Sequence, residues 1–307
     1  NVLRADDLIW PLFIHEEKKD AAVDAMPGVF RLGMDGLFRA AETALSRRIP
    51  AVAIFPVVPA RKKNADGSEA HNPKGLVPRA TAALKKRFPE LGVITDVALD
   101  GYTSHGQDGV IDSAGRVLND ETVAALQKQC IAHADAGADI VAPSDMMDGR
   151  VGALRASLET AGYADVKILA YSAKYASAFY GPFRAASGSA AALGGADKKT
   201  YQMASANLRE AMEEMRLDLD EGADMLMVKP GLPYLDVVRE AAREFDAPVF
   251  AYQVSGEYAM LRAAAARGML AEDACILESL LAFKRAGARA ILTYFAPMAA
   301  ELIAREK

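Results

Sequence analysis

The chain has 307 residues, 51% apolar and 25% charged, the balance of a globular protein long enough to bury a large core without staples. A formal net charge of −5 speaks against nucleic acid as a partner, because gripping a phosphate backbone needs a basic face. No apolar run is long enough to span a bilayer and no secretory signal opens the chain, so no membrane partner is expected and the cytoplasm is the expected location.

In chain order, short runs rich in Val, Ile and Leu alternate with stretches of helical length. The chain opens at Asn1 and enters a strand-like run at 8–14 almost at once, so an N-terminal segment is expected to be missing. A helix is expected over 36–48, a strand over 51–58, a long connection over 59–79 and a strand over 93–99. After a second long connection, 100–119, come a helix over 121–136, a strand over 140–143, a helix over 151–161 and a strand over 168–171. A third long connection, 181–200, leads to a helix over 206–221. Strands at 225–228, 249–253 and 290–294 and helices at 235–244 and 272–286 complete the pattern. Cys130 and Cys275 both fall in helical stretches and read as buried thiols rather than a disulfide.

Strict alternation of this kind predicts a parallel sheet with right-handed crossovers. One recurring pattern favours closing it into a (β/α)8 TIM barrel, a single catalytic domain over 1–307. Ala136-Gly137-Ala138-Asp139, Glu221-Gly222-Ala223-Asp224 and Ala286-Gly287-Ala288-Arg289 each end a helix and enter a strand. Their glycines suit the left-handed conformation that stops a helix. The tight turns thus precede the strands and the long connections follow them, where barrel enzymes build their sites. An open doubly wound sheet is the other architecture compatible with the alternation, although no G-x-G-x-x-G follows the first strand.

Lys174 and Lys229 each close an apolar run, 168–173 and 225–228, and would stand in the mouth of a barrel. Desolvation and a second ammonium nearby lower a lysine pKa and yield the neutral amine that attacks ketones. Read alone, either lysine could simply leave its strand for solvent. The pair suggests Schiff-base chemistry, as in an aldolase or related lyase. Asp96, Ser144, Asp145, Ser255 and Tyr294 also fall at strand ends, where together they could line a polar cavity. Arg184, Lys198 and Gln202 follow Lys174 and read either as solvated loop groups or as a clamp on a carboxylate.

Several longer motifs carry more. Ala142-Pro143-Ser144-Asp145-Met146-Met147-Asp148-Gly149-Arg150, Tyr171-Ser172-Ala173-Lys174-Tyr175-Ala176-Ser177, Met227-Val228-Lys229-Pro230-Gly231 and Tyr252-Gln253-Val254-Ser255-Gly256-Glu257-Tyr258 resemble the porphobilinogen synthase (5-aminolevulinate dehydratase) family, as do shorter marks along essentially the whole chain. The resemblance implies condensation of two 5-aminolevulinate molecules to porphobilinogen with loss of two waters, in tetrapyrrole biosynthesis. It implies that Lys229 forms the Schiff base of the propionate-side substrate and that Lys174 is its acetate-side partner. Ser255 and Tyr294 match hydroxyls that hold the first carboxylate. Arg184, Lys198 and Gln202 match groups that hold the second. Asp96 and Asp145 match polar residues near the lysines, expected to handle protons.

Zinc-using relatives carry three cysteines where this chain has Ala98, Asp100 and Asp108. Thiolates select zinc, so no active-site zinc is expected, and no organic cofactor. Asp100 and Asp108 read as weak ligands for a hard cation or as polar groups of a mobile lid. The resemblance also implies a possible activating magnesium at Glu214, read as an exposed helical glutamate. It further implies a homo-oligomer, an octamer, whose N-terminal arm is largely absent from this chain. Ala185 departs from the Asp usual after the arginine aligned with Arg184.

Overall fold

The computed structural model describes residues 2–188 and 193–305. Ten strands form one sheet among the described residues: β1 (Leu8–Ile14), β2 (Ala21–Ala22), β3 (Phe30–Leu32), β4 (Ala51–Pro56), β5 (Gly92–Val97), β6 (Ile140–Pro143), β7 (Lys167–Lys174), β8 (Met225–Lys229), β9 (Val249–Gln253) and β10 (Ala290–Thr293). Eight of them run β1-β4-β5-β6-β7-β8-β9-β10, and β10 pairs back onto β1 through Leu8↔Ile291 and Ile9↔Leu292. Every pairing around this ring is parallel. The sheet therefore closes as a TIM barrel, and closure excludes the open doubly wound alternative. β2 and β3 form an antiparallel ribbon, and β3 adds to β1 in register Phe13↔Arg31.

The helices are α1 (Met34–Ser46), α2 (Leu76–Arg87), α3 (Asn119–Asp135), α4 (Arg150–Thr160), α5 (Gly181–Ser187), α6 (Leu208–Asp220), α7 (Leu235–Glu244), α8 (Ser255–Ala266), α9 (Glu272–Ala286) and α10 (Ala296–Arg305). They bury their apolar faces against the ring, as with Val237, Val238 and Ala241 of α7 and Ile276, Leu280 and Phe283 of α9. The sequence pattern did not predict the four helices α2, α5, α8 and α10, and the ribbon is also new.

The tight turns follow the expected chemistry. Gly137, Gly222 and Gly287 adopt φ of 92°, 103° and 119°, the left-handed region closed to most side chains. The residue that ends the motif does further work. Asp139 Oδ2 accepts from Val93 N at 2.8 Å, and Asp224 Oδ2 accepts from Ile168 N at 2.8 Å. Each aspartate thus ties the start of its own strand to the start of the preceding one. Such pins at the bottom hold the strand register that delivers residues to the top.

Candidate active site

Strands β7 and β8 end level with each other, with Lys174 and Lys229 as register partners. Both side chains enter one cavity at the C-terminal mouth of the barrel, and both lysines are almost wholly buried, 6% and 7% exposed. The same cavity is lined by Arg184, Lys198, Gln202, Ser255 and Tyr294, so five further residues expected from the sequence meet the two lysines there.

The Lys229 ammonium position is ringed by aromatic faces: Tyr252 at 4.8 Å, Tyr171 at 5.1 Å, Phe183 at 5.3 Å and Tyr180 at 5.4 Å from nitrogen to centroid. Burial, and then the charge of Lys174, push its pKa down to about 7. A large share of this amine is therefore neutral near pH 7. Positive charge on this nitrogen sits among ring faces that attract cations.

Lys174 is held differently. Its Nζ donates to the Ser144 carbonyl and to Asp108 Oδ2 at 3.2 Å. Asp108 is fully buried, and its other oxygen accepts from Lys198 Nζ at 2.8 Å. Lys198 also donates to Asp100 Oδ2 at 3.1 Å. Burial works to lower the Lys198 pKa, but Asp100 and Asp108 outweigh it and hold the ammonium above its ordinary range. For Asp100 burial pulls upward, yet Lys198 and Lys174 bring it down to about 2. Asp100 and Asp108 are thus ion-pair partners in the wall of the site, not groups of a solvated lid. Sequence reasoning missed this role. The available signal was charge: four cations converging on one buried mouth require acidic partners beside them.

Asp96 and Asp145, also expected at the site, are not among the residues that line this cavity. Burial, reinforced by the charge of Asp100, raises Asp96 to about 7, and its Oδ1 is buried without a hydrogen-bond partner. Burial raises Asp145 to about 6 against the pull of Arg150, whose Nε stands 3.6 Å from Asp145 Oδ2. Both carboxyls can carry a proton near neutrality, and Lys174 lies within electrostatic reach of each.

Ser255 opens α8. Its Oγ accepts from Phe183 N at 2.9 Å and donates to Phe179 O at 3.4 Å, which holds α5 against the cavity. The Tyr294 hydroxyl is 2.9 Å from that of Tyr252, and burial raises its pKa.

Glu214 corrects the expectation of an exposed glutamate. It is half-buried on α6, and its Oε1 accepts from Arg150 Nη1 at 2.9 Å. The physical reason is Arg150 itself: a fully buried guanidinium needs carboxylates, and it recruits Glu214, Asp218 and Asp145. Among the described residues no three His, Cys, Asp or Glu side chains form a set that would hold a metal ion. At the three aligned positions, Ala98 has no ligating atom, and the carboxylates of Asp100 and Asp108 already face Lys198. This donor set does not fit zinc. Among the described residues no helix is long and apolar enough to cross a membrane.

A closed β/α barrel thus carries two register-matched lysines in one desolvated mouth, at the strand ends where barrel enzymes hold their sites. The family model of delta-aminolevulinic acid dehydratase matches residues 1–302, and the chain belongs to that family of hydro-lyases. It is 59% identical over 302 residues to the delta-aminolevulinic acid dehydratase of Bradyrhizobium diazoefficiens, covering 98% of this chain and 85% of the relative. The chloroplastic enzyme of Physcomitrium patens is 55% identical, with 98% and 69% covered. The solved structure of the Toxoplasma gondii ME49 enzyme, porphobilinogen synthase in complex with its product porphobilinogen, superposes with a TM-score of 0.98. It is 51% identical and covers 100% of this chain and 87% of that one.

Proposed function

We propose that this enzyme condenses two molecules of 5-aminolevulinate to porphobilinogen with loss of two waters, through Schiff bases on Lys229 and Lys174. One observation carries the reading: the two amines are register partners on adjacent strands and enter the same cavity. The neutral Lys229 amine adds to the substrate ketone, giving a carbinolamine. Protonation of its hydroxyl, with Asp96 as donor, expels water and leaves a protonated imine. That imine withdraws electrons from the adjacent carbon, which loses a proton readily, and it is itself open to attack. Asp145 exchanges protons beside Lys174, whose ammonium must release one before it can add to the second ketone.

Ser255 and Tyr294 anchor the carboxylate of the Lys229 substrate. Arg184, Lys198 and Gln202 anchor that of the Lys174 substrate. Two anchored chains turn a bimolecular condensation into a reaction between held partners. The lysines supply the electron sink, so this reading needs no organic cofactor. It also needs no zinc, a view supported by Ala98 and by the pairing of Asp100 and Asp108 with Lys198. Magnesium acting as an activator at Glu214 is the one ion we include. Its support is the acidic character of the position: Asp148 and Asp218 lie near Glu214, three carboxylates beside the single charge of Arg150. Magnesium takes one or two carboxylates and keeps several waters, so one half-buried glutamate suits it. We place the enzyme in the cytoplasm, in keeping with two free cysteines, and read it as a homo-octamer. Exposed Phe30, Met260, Met269 and Leu270 offer surface for self-association.

The test is incubation with 5-aminolevulinate, followed by assay for the pyrrole and by borohydride trapping with peptide mass analysis. Pyrrole formation and an adduct at Lys229 are expected. No pyrrole, or no adduct under saturating substrate, refutes the reading. In the same assay a strong zinc chelator should leave activity intact, and loss restored only by zinc would overturn the zinc-free site. Added magnesium should stimulate the wild type and leave Glu214→Gln unmoved; equal response of the two proteins would remove the ion from Glu214.

A further inference from the structure

Ser255, Gly256 and Glu257 follow β9 together, and of the three only Ser255 lines the cavity. Glu257 is fully buried at the third position of α8. A glutamate there commonly accepts from the backbone N–H just before its helix. Glu257 does so, with Oε2 2.7 Å from Val254 N, but it also reaches another loop. Oε2 accepts from Gly231 N at 3.3 Å and Oε1 from Leu232 N at 2.8 Å, two and three residues beyond Lys229. A helix cap alone does not require those two bonds. Gly256 adds a third loop: a Cβ there would lie 2.4 Å from Phe179 O, so only glycine lets the segment after Lys174 close onto α8.

We propose that Glu257 is a positioning residue of the reaction: it locks the loop leaving Lys229 to the turn that presents Ser255, fixing the spacing between the amine and the carboxylate anchor of one substrate. The inference rests on the roles given above to Lys229 and Ser255. Its logic is steric: addition to a ketone demands a near-attack separation, and an error of about 1 Å costs about 100-fold in rate. Glu257→Gln keeps one acceptor oxygen and turns its amide N–H either toward Leu232 N or toward both Val254 N and Gly231 N, so the clasp between the two segments is weakened.

The experiment uses the full chain. Adduct formation at Lys229 with 5-aminolevulinate and borohydride is timed by peptide mass, beside kcat, KM and thermal unfolding. Glu257→Gln is expected to slow the adduct by about 10- to 100-fold and to raise KM. Glu272→Gln, which breaks the Arg262 pair on the surface of α9, should match the wild type in both. A wild type that forms no adduct sinks the functional reading. A wild type that forms it, with Glu257→Gln folded and equally fast, sinks this inference alone. If Glu257→Gln does not fold, amide exchange of the wild type decides. The amides of Gly231, Leu232 and Val254 should gain protection together when levulinate, the substrate skeleton without its amine, is added; independent behaviour would overturn the lock.

Discussion

A lysine amine stripped of water by four aromatic rings is costly for a fold and useful for a reaction. The Lys229 pKa of about 7 lies below the ordinary lysine value, so the folded state holds the amine partly neutral where the unfolded chain protonates it. Between pH 7 and the unfolded value the unfolded state binds more protons, and stability contributed by this group rises with pH through that window. Replacing the buried amine removes that cost. Lys229→Met should therefore raise Tm at pH 7 by about 2–4 °C while reducing turnover by at least about 10⁴-fold. Calorimetry and the pyrrole assay check both parts, and a folded variant with near-normal turnover would remove Lys229 from the chemistry. The same amine sets the pH profile. Its free base grows as pH rises toward 7, whereas the acid form of Asp96, also near 7, is lost above it. A bell centred near pH 7 is expected for kcat/KM, with both limbs belonging to the coupled pair. Asp96→Asn should abolish the alkaline limb; if that limb persists unchanged, Asp96 is not the acid.

At the scale of elements, the β3 ribbon and α5 are joined across the mouth. Arg31 Nε donates to Ala186 O at 2.7 Å and its Nη2 to Ala185 O at 2.9 Å, a forked cap on the last carbonyls of the helix that carries Phe183 and Arg184. Arg31→Ala should raise KM for 5-aminolevulinate several-fold, about 3- to 10-fold, with kcat nearly kept. Steady-state kinetics decide, and an unchanged KM would show that α5 needs no cap. Neither partner was legible in the sequence. The ribbon strands are two and three residues long, and α5 is a single seven-residue stretch, opened by Gly and Pro, within a connection. α2 hid behind Pro78, which is tolerated in the first turn of a helix yet breaks a periodic pattern. α8 is rich in alanine and starts directly where β9 stops, so neither a loop nor a sharp amphipathic stripe announced it. By contrast, the barrel strands are apolar on both faces, and their period survives in a single sequence. β7 runs three residues past its expected end because, beyond an irregularity after Ala170, Ala173 and Lys174 rejoin the ladder opposite Val228 and Lys229 at the functional rim, where polarity reports chemistry rather than a strand end. The same logic separates the site residues. Lysines closing apolar runs are visible, whereas Asp108 is distant in sequence and acquires its meaning only when the barrel brings it to Lys174 and Lys198.

For the whole molecule, the bottom of the barrel carries stability and holds a histidine that acid works against. His133 lies fully buried on α3, with neither ring nitrogen in a hydrogen bond. Burial drives its pKa down to about 3, so the folded state keeps the ring neutral through a range in which the unfolded chain binds a proton. The unfolded state therefore takes up one extra proton between about pH 6.5 and pH 3, and this group's contribution falls as pH falls, by about 1.4 kcal/mol per pH unit. Asp145 and Glu257 act with the opposite sign. Burial lifts them to about 6 and about 7, so their folded forms hold protons that unfolding releases, and their contribution grows as pH drops toward the ordinary carboxylate range. The acid limb of stability is thus a contest between the barrel's bottom and its mouth. His133→Leu removes one side of it without touching the site. Urea midpoints of wild type and variant, measured at pH 6.5 and pH 4, should diverge by about 3 kcal/mol in favour of the variant at the lower pH. Parallel acid limbs would mean that His133 finds a proton, or a water, inside the fold.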